Sequence, residues 1–266
     1  MNKTKNLRTS KIVAMHYVKL VFRSFLFVVA STVYIINRIY NKSFTLNEIH
    51  YGKPAIFIIW TVFIVEMIMR FFPAKLESMG CQKQFARNYR SVKDCDKPQG
   101  QSWKRTFAVA AIWIGLNTVI ALLYILNIID SGILLLISLA FSICDIVCIL
   151  FFCPFQIWFM KNKCCGTCRI YNWDYVMMFT PLMFIKNFYT LSLVLVALAL
   201  LIKWEILVSR HPERFCENSN LSLSCGLCEE KLCHHKKQLQ TYLQKGKFNL
   251  HGNAFIKSLK DRLKPD

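Results

Sequence analysis

The chain has 266 residues, of which 55% are hydrophobic, and it carries a formal charge of +19 from 34 Lys and Arg against 15 Asp and Glu. Its apolar residues gather in runs of about 20 residues, long enough to cross a bilayer, which excludes an ordinary soluble domain. The basic residues lie beside the ends of those runs. This position indicates membrane orientation and contact with anionic lipid headgroups, and it argues against nucleic-acid binding.

Five apolar runs predict an all-α, multi-pass bundle of transmembrane helices over residues 1–208. They cover residues 20–39, 55–72, 107–129, 133–155 and 188–208. No small-residue cleavage site of the A-x-A kind follows the first run, so we expect it to remain as an anchor. Residues 209–266 are predicted to form a polar, cysteine-rich tail that ends in a basic amphipathic helix over 254–263.

The charges between the runs predict the orientation. The residues before Arg23 include basic side chains and no acidic one, which predicts a cytoplasmic N-terminus in the cell membrane, and the basic loop 73–106 is predicted to be cytoplasmic too. Five crossings then put the tail outside, although it is basic. The preferred interpretation is one crossing by residues 188–208 after an interfacial segment. The alternative is a re-entrant hairpin over 175–208 that returns the tail to the cytoplasm.

Two cysteine clusters flank the last run, and each contains a C-x-x-C step. The first cluster is Cys164, Cys165 and Cys168, and the second is Cys225, Cys228 and Cys233, followed by His234 and His235. The tail cluster offers three thiolates and an imidazole, enough for a tetrahedral zinc site, whereas an extracellular tail favours disulfides. The first cluster alone lacks a fourth ligand. An iron–sulfur cluster shared by both would need the tail on the same face of the membrane.

The C-G-x-C form of both steps resembles the steps of thiol–disulfide oxidoreductases. The resemblance covers only these four-residue segments, and it implies an alternative function as a membrane enzyme that uses Cys165 with Cys168 and Cys225 with Cys228. The cysteines of the fourth apolar run are instead predicted to pack as small hydrophobic side chains with little reactivity. They are Cys144, Cys148 and Cys153.

Two acidic residues lie well inside apolar runs, whereas Glu205 is close to the end of the fifth. Asp145 is near the middle of the fourth run, where a carboxylate is kept only if it faces partners or water. It suggests a third function, a small transporter with Asp145 in its path, against a structural role through hydrogen bonds to neighbouring helices. Glu66 precedes Arg70 by four residues, the spacing of a helical ion pair, and a local salt bridge is the preferred interpretation.

Overall fold

A computed structural model describes residues 10–40, 53–93 and 103–237, apart from positions 76, 163, 229, 234 and 235. Within these residues the fold is all-helical, as predicted, and the only β-type pairing is an isolated bridge between Ser91 and Asn220. The predicted amphipathic helix at 254–263 lies outside the described residues, as do His234 and His235.

Seven α-helices form the described part, together with short 3₁₀ turns and a π-helical turn at Phe155–Phe159. They are α1 (Lys11–Ile39), α2 (Lys53–Met69), α3 (Met79–Gln82), α4 (Trp103–Ile125), α5 (Ser131–Leu150), α6 (Asp174–Phe179) and α7 (Phe188–Arg210). Side-chain caps fix several of the starts: Ser10 accepts from the N–H of Val13, and Asp130 from that of Ile133. Helix α1 thus begins well before residue 20, where the apolar run starts.

Four of the described helices are long and apolar enough to cross a membrane, namely α1, α4, α5 and α7. The α2 helix has 17 residues, the lower limit for a helix that spans a bilayer. Large apolar side chains cover the outer surface of the bundle, among them Val18 and Phe107, which are 69% and 74% exposed. An integral membrane protein accounts for such a surface, because lipid tails solvate these side chains.

One end of the bundle, called here the basic end, gathers the start of α1, the loop after α2, the start of α4 and the chain after α7. Ser10 Oγ donates to the carbonyl of Glu230 at 2.9 Å, and Lys203 Nζ of α7 donates to that of Phe71 at 2.8 Å. Val13, Leu150 and Leu232 share a small apolar cluster at the same end. The N-terminal residues, the loop 70–93 and the tail therefore meet.

The opposite end holds the remaining turns. Tyr34 OH donates to Asp130 Oδ2 at 3.0 Å, which joins the far half of α1 to the turn before α5. Trp60 of α2 donates through its Nε1 to Ser192 Oγ at 2.8 Å, close to the start of α7. Helix α7 therefore starts at this opposite end and finishes at the basic end.

A broken helical segment, residues 171–187, connects the basic end to the start of α7. It consists of the 3₁₀ turn Tyr171–Trp173, α6, and a second 3₁₀ turn, Thr180–Phe184, which contains Pro181. Ser138 Oγ of α5 donates to the carbonyl of Met178 at 2.8 Å. The side chains that this segment buries in the main core are Tyr175, Met178, Phe179, Leu182 and Ile185.

This arrangement differs from the preferred sequence interpretation. Residues 174–185 are packed in the bundle core, whereas an interfacial segment would lie along its rim. Ser138 of α5 donates to the carbonyl of Met178, so protein satisfies the backbone of this broken segment. Whether the segment crosses the membrane, as in the hairpin alternative, stays a prediction.

Candidate functional site: a cysteine-lined cavity at the basic end

The two cysteine clusters meet at one cavity of about 590 Å³ at the basic end. Cysteines from both clusters line it: Cys164 and Cys165 from the first, and Cys225, Cys228 and Cys233 from the second. Residues of the loop 73–90 form much of the remaining wall. A cavity shared by side chains more than fifty positions apart in the chain exists only because the tail returns to this end.

Tight packing against α3 holds the first cluster in place. The turn closes through a hydrogen bond from the N–H of Cys168 to the carbonyl of Cys165, at 2.9 Å. Gly80 of α3 faces this turn, and a Cβ added at Gly80 would lie 2.8 Å from the Tyr171 ring and 3.0 Å from the Cα of Gly166. Only glycine therefore fits at position 80 without displacing its neighbours.

Lys83 ties the same turn to the bundle. Its side chain is fully buried, and its Nζ donates to the carbonyls of Gly166 and Cys168 at 3.0 and 2.9 Å. The ammonium also lies over the rings of Trp204 and Phe215, 5.2 and 5.5 Å from their centroids. Burial lowers the pKa of Lys83 to about 8, because the charged form loses its hydration.

Glu230 anchors the tail cluster to the same loop. Its carboxylate accepts hydrogen bonds from Ser78 Oγ, at 3.0 and 3.1 Å, and from the N–H of Met79. Burial raises the pKa of this carboxyl group, because the ion loses its hydration. Asn220 strengthens the attachment by accepting from the N–H of Arg90 at 3.3 Å, next to the bridge at Ser91.

The thiols of Cys164 and Cys233 hydrogen-bond to each other across the cavity. This contact raises the pKa of Cys164 and lowers that of Cys233 to about 7, because the Cys164 thiol stabilises the Cys233 thiolate. Cys225 is exposed and Cys228 is half-buried. These four cysteines present thiols that a bound group could reach.

Cys165 and Cys168 are more enclosed than the sequence suggested. The Cys165 thiol donates to Gln156 Oε1 at 2.8 Å and accepts from Lys236 Nζ at 3.0 Å. Cys168 is 5% exposed and does not line the cavity, and desolvation raises its pKa to about 11. The predicted ligand set is therefore brought to one cavity only in part.

Within the described residues, no group of three or more His, Cys, Asp or Glu side chains is arranged to hold a metal ion. The cysteines line the cavity wall without converging on one point, and the two predicted histidine ligands lie outside the described residues. A tetrahedral zinc site in the tail thus stays a prediction.

The sequence predicted that Cys153 packs inside the fourth apolar helix as a small hydrophobic side chain, but its surroundings in the structure are different. Helix α5 ends at Leu150, so Cys153 lies beyond the helix, directly before Pro154. It hydrogen-bonds to Cys148 and accepts from the N–H of Gln156 at 3.4 Å. Those hydrogen bonds lower the pKa of Cys153 to about 6. Pro154 was the sequence signal that could have placed this cysteine outside the helix.

The acidic residues in the apolar helices have long-range partners. Arg23 of α1 joins both, with its Nη1 3.3 Å from Asp145 Oδ2 and its Nη2 3.1 Å from Glu66 Oε2. The predicted pairing of Glu66 with Arg70 is wrong, because Arg70 Nη1 lies 2.6 Å from Asp174 Oδ2. The predicted hydrogen bonds of Asp145 to neutral side chains are replaced by this ion pair.

The cysteine cavity and the buried ion pairs are thus the two chemically distinctive regions of the described structure. Comparisons with protein-family models, curated proteins and solved structures found no match to this chain. The chemistry of the cavity must therefore be inferred from the residues that line it.

Proposed function

We propose that this chain is an integral membrane protein that binds a metal centre, zinc or iron–sulfur, through thiolates of both cysteine clusters. The observation that carries the proposal is the single cavity lined by Cys164 and Cys165 together with Cys225, Cys228 and Cys233. Thiolates are the ligands that zinc and iron–sulfur clusters share. The sequence left open whether the clusters share a compartment, and the contacts of Glu230 with Ser78 support a shared one.

The topology that fits this proposal has six crossings, made by α1, α2, α4, α5, the broken segment 171–187 and α7. Six crossings bring both termini to the same side. The loop 73–106 and the tail 209–266 are both basic and belong to this end, which supports a cytoplasmic basic end in a cell membrane. The conflict between the tail's charge and a five-span count then disappears.

A cytoplasmic cavity also suits the state of its cysteines. None of the eleven described cysteines forms a disulfide, and the reducing cytoplasm would keep their thiols available as ligands. The hydrogen bond from the Cys164 thiol lowers the pKa of Cys233 and so favours its thiolate, the form that metal binding requires.

A thiol–disulfide oxidoreductase is the second candidate, and one observation favours it. Cys164 and Cys233 form a hydrogen-bonded pair in which one thiol has a lowered pKa, the arrangement of an attacking thiolate with a resolving partner. These are not the C-x-x-C pairs predicted from the sequence, because Cys168 is buried away from the cavity. Exchange with a substrate disulfide would pass through a mixed disulfide on Cys233.

Transport through Asp145 has less support. Arg23 neutralises this carboxylate and also contacts Glu66, so the group acts as a link between α1, α2 and α5. Compensated ion pairs of this kind stabilise helix packing in the bilayer.

Metal analysis of the purified protein tests the proposal. Protein prepared anaerobically in detergent should carry zinc or iron, and the double substitution Cys225→Ser/Cys228→Ser should remove it. Cys144→Ser is the matched control, because Cys144 is exposed on α5 and does not line the cavity. Wild-type protein without bound metal, together with disulfide exchange that depends on Cys233, would replace the proposal with the oxidoreductase.

Labelling with a membrane-impermeant maleimide tests the topology. Intact cells should label Ile128→Cys, whose position is exposed in the turn at the opposite end, whereas the wild-type cysteines should react only after permeabilisation. Labelling of wild-type protein on intact cells would place the tail outside and end the shared-site proposal.

A further inference from the structure

The loop after α2 supplies one wall of the cavity, called here the loop wall, and this wall carries an excess of positive charge. Its polar residues are Lys75, Glu77, Gln82, Arg87, Asn88 and Arg90. The three cations and the single carboxylate among them form no ion pair with any described residue. A concave wall with more cations than anions attracts an anion, because the cavity concentrates the field of its charges.

Gln82 adds a buried donor without a partner to the same wall. The residue is 2% exposed and lines the cavity. Its Oε1 accepts from the N–H of Ala74 at 2.9 Å and from Asn88 Nδ2 at 3.4 Å, which fixes the orientation of the amide. Its Nε2 has no hydrogen-bond partner among the described residues. Buried N–H donors are almost always paired in proteins, so this donor indicates that an acceptor belongs here.

Hydrogen bonds hold the backbone that carries the two arginines. Arg87 belongs to the 3₁₀ turn Ala86–Asn88. Arg90 is fixed by the tail, because its N–H donates to Asn220 Oδ1 at 3.3 Å and its carbonyl accepts from the N–H of Leu221 at 2.8 Å. Both guanidinium groups are thus attached to a fixed frame, which reduces the ordering that binding would require.

The charge of the loop wall favours a phosphate group over a carboxylate. A phosphate monoester carries about −1.5 to −2 near pH 7, which balances three cations and Glu77, whereas one carboxylate would leave much of the positive charge uncompensated. Guanidinium groups also present paired N–H donors that match the spacing of phosphate oxygens. Apolar side chains line the cavity too, which suits a ligand whose phosphate is attached to a partly apolar group. They include Ile12, Leu223 and Leu227.

We propose that the loop wall binds the phosphate group of a phosphate monoester, with Arg87 and Arg90 as cationic donors and Gln82 Nε2 as a neutral donor. The site goes beyond the proposed metal centre, because none of its donors is a cysteine and it needs no metal. Two sources offer this chemistry. One is the headgroup of an anionic lipid, since the cavity lies beside the start of α1 and the end of α2, and the other is a soluble phosphate ester.

Phosphate binding by the full-length protein in detergent tests the site. Calorimetric titration with inorganic phosphate should show saturable binding to the wild type. Arg87→Gln and Arg90→Gln should each weaken it by about tenfold or more, and both side chains are exposed, so these variants should fold. Lys93→Gln removes a charge from the same loop outside the cavity and should weaken it by less than about threefold. No binding to the wild type, or equal weakening in all three variants, would overturn the proposal.

Gln82→Glu tests the buried donor. The new carboxylate can still accept from the N–H of Ala74, but it replaces the amide donor with an anion. Phosphate affinity should therefore fall by more than about tenfold, while the thermal stability of the phosphate-free protein stays close to that of the wild type. Wild-type affinity in this variant would remove Gln82 from the site. If Gln82→Glu does not fold, the exposed Arg87→Gln and Arg90→Gln variants decide the proposal.

Two further measurements separate the site from the metal centre and identify the source of the phosphate. Protein stripped of metal by a chelator, and then freed of the chelator, should bind phosphate as before, and loss of binding would mean that a metal holds the anion and would overturn the proposal. Displacement of phosphate by phosphatidic acid in phosphatidylcholine nanodiscs would identify a lipid headgroup. Displacement only by soluble glycerol phosphate would identify a soluble ester, and displacement by neither would overturn the proposal.

Discussion

Arg23 in the bundle interior and Lys83 at the basic end are both buried cations, but their partners differ. Arg23 contacts the carboxylates of Glu66 and Asp145. The fully buried Lys83 instead donates to backbone carbonyls and lies over aromatic rings. Other buried cations at the basic end are paired, as Arg169 is with Glu205, so Lys83 is the exception among the described buried Lys and Arg side chains of that end.

The difference also separates the two acidic candidates from the cysteines. Asp145 and Glu66 attracted attention because carboxylates are rare in apolar helices, yet their charges are already satisfied. The cavity cysteines are less enclosed, because Cys225 is exposed and Cys228 and Cys233 are half-buried. The region open to further chemistry is therefore the cysteine cavity, although it lies outside the apolar helices.

The largest predicted effect comes from breaking the paired region. Arg23→Met should leave Asp145 without a counter-charge and Glu66 with only Lys19 and the Tyr175 hydroxyl, and it should lower the free energy of unfolding by about 3–5 kcal/mol. Thermal unfolding in detergent would measure it. Lys19→Met is the matched control, since Lys19 contacts the same Glu66 at 3.3 Å but is 18% exposed, and it should cost at most about 1 kcal/mol.

A further set of variants tests whether uncompensated carboxylates cause the loss of stability in Arg23→Met. Combining Arg23→Met with Asp145→Asn and Glu66→Gln removes the stranded charges and should recover much of the lost stability. A stable Arg23→Met protein would mean that Arg23 does not hold the two carboxylates. Asp145 would then return as a candidate for transport.

Burial of Lys83 should make the free energy of unfolding of the metal-free protein depend on pH. In the metal-free protein the pKa of Lys83 is lowered by burial to about 8 from its usual 10.5. Between these two values the unfolded chain binds more protons than the folded one, so the free energy of unfolding should rise with pH. The rise amounts to on the order of 3 kcal/mol, and unfolding of the metal-free protein across this pH range would measure it.

One control isolates Lys83 from other groups that titrate at high pH. Lys83→Gln should lose this part of the pH dependence. Equal slopes in the wild type and in Lys83→Gln would show that Lys83 is not the group that titrates.

The sequence was sufficient for the fold class and for the approximate positions of α2, α4, α5 and α7, because uniform apolar runs report burial in lipid directly. It missed the early part of α1, where His16, Lys19 and Arg23 interrupt the apolar run. Lys19 and Arg23 pair with Glu66 and Asp145 on other helices, and Asp145 is separated from Arg23 by 122 positions in the chain. No local pattern encodes such a pairing.

The sequence also did not predict how the chain returns to the basic end before the tail begins. Residues 171–187 form short helices around Pro181, so no long apolar run reveals that they pass through the core. The two clusters could be found from their C-x-x-C steps, but their meeting at one cavity depends on that hidden passage. Lys83 carried no signal, since it is one of several basic residues in its loop.

The smallest predicted effects come from substituting one glycine in each region, Gly80 at the basic end and Gly115 in the bundle. Gly80→Ala should lower the free energy of unfolding by about 1–3 kcal/mol, because the new methyl group would lie 2.8 Å from the Tyr171 ring and 3.0 Å from the Cα of Gly166. Gly115→Ala in α4 meets nothing within 4 Å and should be neutral or stabilise by up to about 1 kcal/mol. Because Gly80 supports the turn that carries Cys164, its substitution should also weaken metal retention against a chelator, whereas Gly115→Ala should not. Equal metal loss in both variants would mean that the basic end does not depend on this contact, and the cavity would then be less rigid than the packing of α3 implies.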